Sequence, residues 1–79
     1  MELFYFDLLE DGDVIADPEG GRFDGLAAAR MGAIMVIRDL LCGAVERGEL
    51  PLHHVLEIHD ADHVLVQSIR FDEAVSPSR

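Results

Sequence analysis

DGLAAARMGAIMVIRDLLCGAVERG, residues 24–48, settles the fold class, because it is the one segment with a sustained helical periodicity. Asp24 suits an N-cap, since its carboxylate can accept from the free amides of a first turn. Gly48 suits the left-handed residue that closes a helix, and Pro51 discourages continuation. About 23 residues at 1.5 Å each make a rod of roughly 35 Å, long for so small a domain. At about 100° per residue, Leu26, Ala33, Ile37, Leu40, Leu41 and Ala44 gather on one side, flanked by Ile34, Ala29 and Val45. That is the expected core stripe. The opposite side holds Asp39, Glu46 and Arg38, yet also Ala28, Met31, Gly32, Met35 and Cys42, where a solvated face normally offers Lys, Glu or Gln. Small residues and Met at such places suit a close, adaptable contact, so these five are the candidate interface for a second copy or another protein. Isolated exposed apolar residues are also common on ordinary helices. Arg30, Arg38 and Asp39 interrupt the segment and exclude a membrane span.

Upstream, residues 2–9 read ELFYFDLL, an aromatic, β-favouring run. Alternation puts Phe4, Phe6 and Leu8 on the helix-packed face and Leu3, Tyr5 and Leu9 on the other. Asp11-Gly12 between two apolar runs is a hairpin signal, with residues 14–17 as the returning strand and Pro18 as its stop. Residues 17–21 read as turn and loop, and Phe23 is placed to staple the start of the helix. Downstream, residues 54–59 alternate, with Leu56 and Ile58 facing inward. Residues 60–63 form a second turn and 64–71 a last strand. In that strand Leu65, Gln67, Ile69 and Phe71 share a face, and a one-residue slip in register decides which face meets the helix.

Hairpin, helix, hairpin is an α+β fold: a ββαββ two-layer sandwich, a four-stranded antiparallel sheet with one long helix on one face. Residues 1–72 form the domain, and 73–79 are expected to fray. The open sheet face, with Leu3, Tyr5, Leu9 and Val55, plus Val64 and Val66 in one register, is a second candidate interface. Strand order stays open.

Phe4-Tyr5-Phe6-Asp7, Asp11-Gly12, Asp17 with Glu19-Gly20, the Ala-rich helix start at residues 26–30, and Asp60 before a strand ending at Phe71 together resemble a family of small bacterial proteins, domain of unknown function 6894. The resemblance spans nearly the whole chain and rests on the order and spacing of these motifs. It implies a single-domain bacterial protein and brings no activity or catalytic residues with it. One departure is that the family usually has Gly in the second turn where this chain has His63, a non-glycine residue at a left-handed position.

Seventy-nine residues bury only about 60 % of their unfolded surface, so stability is thin and dimerisation would add to it. A formal charge of −10, from sixteen acids against six bases, disfavours nucleic acid and anionic membranes as partners. The single Cys42 suits a reducing compartment, and MELFYFDLLEDGD lacks the basic and apolar regions of a signal peptide, so a cytoplasmic protein is expected.

His53, His54, His59 and His63 lie close in sequence with Asp60 and Asp62, and His with carboxylate suits zinc or nickel. Neither the four-ligand spacing of a structural zinc site nor a helical His pair is present, so these residues read as solvated turn histidines. The acids of residues 10–24 do not match a calcium loop. Cys42 has no evident base, and Gly20-Gly21 lacks the rest of a phosphate loop in a chain without lysine. No catalytic residue, cofactor or metal ligand is therefore assigned. The leading expectation is a non-enzymatic interaction module acting as a homodimer. The alternative is a small-ligand or metal-responsive regulator using the His59–His63 hairpin.

Overall fold

β1 (Glu2–Glu10) is the strand on which the molecule is assembled. The computed structural model describes residues 1–75. Four further strands follow, β2 (Asp13–Ile15), β3 (Gly21–Phe23), β4 (Val55–His59) and β5 (Leu65–Arg70), with helices α1 (Leu26–Glu46) and α2 (Phe71–Val75). The fold is α+β, an antiparallel sheet in the order β2-β1-β4-β5 with α1 across one face; β3 also pairs with β1. Asp11 and Gly12, at φ 51° and 90°, make the expected two-residue turn, which pairs Glu10 with Asp13. Leu8 pairs with Leu56 and Phe6 with Ile58 across β1 and β4, so the two hairpins join at the middle of the sheet.

β3 is an unexpected strand: residues 17–20 are turn and loop as expected, but Gly21–Phe23 pairs with β1. β2 and β3 pair with opposite ends of β1, and between them the Asp17 carboxylate accepts from the Phe6 amide at 3.1 Å. Because residues 21–23 are tied to β1, the chain must turn sharply into the helix. Gly25 makes that turn at φ 97° and ψ 174°, a conformation costly for any residue with a Cβ. Gly25, not Asp24, is therefore the N-cap, and no side chain caps this end. The other end follows expectation: Gly48 at φ 80° donates to Val45 O and Glu49 donates to Ala44 O, the paired bonds of a Schellman ending.

Phe4, Leu56, Ile58 and Ile69 from the sheet meet Ala29, Ala33, Ile37 and Leu41 from α1, closed at one end by Phe71 and Ala74. Three alanines on the buried stripe, Ala29, Ala33 and Ala44, let the helix lie close to the strands. The stripe is narrower than expected, since Leu40 is 41 % exposed and Val45 57 %, and Leu26 is exposed too. Geometry explains this. Twenty-one helical residues run about 31 Å, whereas four strands at about 4.8 Å spacing span about 14 Å and β4 is about 17 Å long. The helix therefore extends past β4 and past the width of the sheet, and only β1, nine residues and about 30 Å, matches it in length.

In β5, Gln67 pairs with Ile58 and Ile69 with Leu56, so these two side chains share the helix face. A bulge between Ile58 and His59 shifts the register, and Leu65 pairs with His59 instead. Leu65 thereby leaves the face it was expected to share with Ile69. Phe71 begins α2 rather than ending β5, and residues 71–75 are helical where fraying was expected from 73. Glu73 Oε1 accepts from the Arg70 amide at 2.9 Å, half of a capping box, and Arg38 Nε donates to Ala74 O at 2.9 Å. Residues 76–79 lie outside the described residues.

Candidate functional site

Antiparallel pairing of β1 with β4 sets Leu9 opposite Val55, so the end of β1 runs into the start of β4. The turn residue Asp11 therefore meets His53 and His54, more than forty positions away in sequence. His53 Nε2 lies 2.7 Å from Asp11 Oδ1, and His54 Nε2 lies 3.5 Å from Asp11 Oδ2. Hydrogen bonds from His53 and then His54 hold the Asp11 carboxyl below the usual carboxylate range. His53 and Asp11 are exposed, whereas the His54 side chain is only 11 % exposed. Its ring packs edge-on against Phe71 at 5.6 Å and against His53 at 4.6 Å between centroids. The backbone of His54 is held as well, since its carbonyl accepts from the Phe71 amide at 2.9 Å. His54 Nδ1 is buried without a hydrogen-bond partner, and Glu10 Oε2 is 3.9 Å from it. A hollow of about 300 Å³ opens over the cluster, lined by Asp11, Glu49, Leu50, Pro51, His53 and His54.

The other two histidines go elsewhere. His59 lies on the open sheet face, its Nε2 3.2 Å from Glu57 Oε1 and 3.6 Å from Asp7 Oδ2. His63, at φ 62° in the second turn as expected, stacks its ring on Tyr5 at 4.3 Å. His59 Nδ1 meets the His63 carbonyl at 3.3 Å, so the contact between the two residues runs through backbone and not through paired rings. Among the described residues, Asp11, His53 and His54 are the group whose ligand atoms converge, all within 4.8 Å of one another. The sequence reading had grouped the four histidines with Asp60 and Asp62. Asp11 was missed because strand pairing, and not spacing, brings it to the site.

The five candidate interface residues divide. Met31 and Met35 are 68 % and 66 % exposed, and Cys42 is exposed and free. Ala28 is half-buried. Gly32 does not stand open on the outer face: a Cβ there would come within 2.7 Å of the Phe23 ring. Phe23 stacks on Phe6 at 5.4 Å and leans on α1 at Gly32, beyond the first turn that a staple would reach. Beside this region an apolar groove of about 350 Å³ runs between α1 and β2, with Val36, Leu40 and Ile15 on its walls and Asp17 and Pro18 at its end. On the open sheet face Leu3, Tyr5, Leu9 and Val55 are half-buried, while Val64 and Val66 at the second hairpin are exposed.

A family model described as Domain of unknown function (DUF6894) matches residues 3–72. The chain belongs to this family. The match runs from β1 to the start of α2 and contains Asp11, His53, His54 and the whole of α1. No curated protein and no solved structure matches the chain. Among the described residues, no helix is long and apolar enough to cross a membrane.

Proposed function

We propose that this member of the family is a non-enzymatic interaction module that pairs with a second copy of itself through the outward side of α1. The observation that supports it is the exposure of Met31 and Met35, two-thirds open and one helical turn apart, with Val36 and Leu40 exposed nearby. Charge opposes a like partner least at this place. Of the sixteen acids, α1 holds only Asp39 and Glu46, and its first half carries Arg30 and no acid. Elsewhere two copies at −10 each would repel. A domain this small also gains proportionately from added apolar burial. Exposed Cys42 on the same side suits a reducing, cytoplasmic setting.

Sedimentation equilibrium at micromolar concentration tests the reading, with Met35→Glu as the perturbation. Burying the exposed two-thirds of a Met is worth about 1–2 kcal/mol, and a twofold interface counts it twice. The expected loss is about 30-fold to 1,000-fold in dimer affinity. A chain that sediments as a monomer, or a dimer indifferent to Met35→Glu, refutes it.

A further inference from the structure

We propose that Asp11, His53 and His54 bind one zinc ion, or a similar borderline divalent cation, between the β1–β2 turn and the segment leading into β4. Two imidazoles and a carboxylate are the donor set of open zinc sites, which take three protein ligands and leave a position to solvent. Two nitrogen donors disfavour calcium and magnesium, which take oxygen. Tetrahedral zinc at about 2.1 Å from its ligands sets them roughly 3.4 Å apart. Each histidine Nε2 already lies 2.7 or 3.5 Å from an Asp11 oxygen, and the whole set falls within 4.8 Å. Side-chain rotations of His53 and Asp11, both exposed, close the remainder. Glu49 lines the same hollow but pairs with Arg47 at 3.6 Å, so the fourth position is left to solvent.

A second, independent observation is the state of His54. A simple ion pair accounts for His53 and Asp11 but not for a mostly buried ring whose Nδ1 has no partner and whose Nε2 contact is long. Metal on Nε2 requires the proton on Nδ1. Glu10 Oε2, 3.9 Å from Nδ1, is then the carboxylate that accepts this proton's hydrogen bond after a small rotamer change. A carboxylate behind a metal-bound histidine is the usual orienting partner. Phe71 holds the ring plane while this happens. Zinc would therefore relieve the orphaned atom and tie the first hairpin to the connector after α1.

Calorimetric titration of the intact chain with zinc chloride at pH 7.5 tests the site. One zinc per chain is expected, with a rise in Tm of roughly 10 °C or more when free zinc is a hundred times Kd. His53→Ala and Asp11→Asn, both at exposed positions, should weaken binding at least about tenfold, and Glu10→Gln about 10-fold to 100-fold, with His59→Ala neutral. On zinc addition, long-range ¹H–¹⁵N spectra should show His54 protonated at Nδ1. Absence of heat and of any Tm rise overturns the proposal. So does binding unchanged by His53→Ala, or a His54 ring protonated at Nε2 in the zinc-loaded chain.

Discussion

Replacing Asp17 by Ala should cost about 2–3 kcal/mol of stability, although Asp17 lies in neither strand nor helix. Its Oδ2 accepts from the Phe6 amide at 3.1 Å, and its Oδ1 from the Gly20 amide at 3.1 Å and, at 3.4 Å, from Glu19. Its own amide donates to Asp7 Oδ1 at 3.1 Å. The Phe6 bond is the costly one to lose, because it is part-buried, bridges the gap between β2 and β3, and has an ionised acceptor. Such a bond contributes about 1.5–3 kcal/mol, and the two loop bonds add about 0.5 kcal/mol each at most where water can replace them. Against the roughly 4–12 kcal/mol expected for a chain this long, about a sixth to three quarters of the total is at stake. Urea unfolding followed by circular dichroism reads this directly. With a slope near 1 kcal/mol/M, the midpoint should fall by about 2–3 M. Asp17→Asn keeps one acceptor oxygen without the charge and should recover about half the loss. A shift below about 0.5 M in Asp17→Ala would refute the assignment of Asp17 as the link that ties the segment between β2 and β3 to β1.

Two further outcomes follow from the same geometry. Gly32→Ala should destabilise by about 0.5–2 kcal/mol, because the new methyl pushes Phe23 off its stack with Phe6 and overpacking outweighs the gain of about 1 kcal/mol in helix propensity; thermal unfolding showing a more stable variant would return Gly32 to the open face. The Asp11 carboxyl, followed by NMR, should titrate below the usual carboxylate range, and His53→Ala should move its midpoint upward. Since this pKa is depressed on folding, what stability the contact contributes is present above the unfolded carboxylate value and is lost as pH falls through the folded one.

Much of the fold was legible because its signals are local. The Asp11-Gly12 turn, the Gly48 ending, the inward Phe4, Phe6, Leu56 and Ile58, and the left-handed His63 each depend on a few neighbouring residues. β3 was not legible, since three residues carry no periodicity and its pairing is to a strand about twenty residues away. α2 left a signal that was passed over: Asp72 and Glu73 at the start of a short segment are first-turn acids, favoured by the helix dipole. The candidate site was half legible. Four histidines in eleven positions stand out, but only the pairing of β1 with β4 selects His53 and His54 and supplies Asp11.

The helix of residues 24–48 shows where the line falls. Its existence, its length and its buried Ala29, Ala33, Ile37, Leu41 and Ala44 follow from the sequence alone, because periodicity and end residues act within one or two turns. Its exposed residues do not follow. Met31 and Met35 remain open, while Gly32 is taken by Phe23 and Leu40 borders a groove. A wheel gives only the angle of a side chain about its axis. Whether anything stands at that angle depends on how far the sheet extends beneath the helix and on which distant ring folds back over it, and these are properties of the assembled chain.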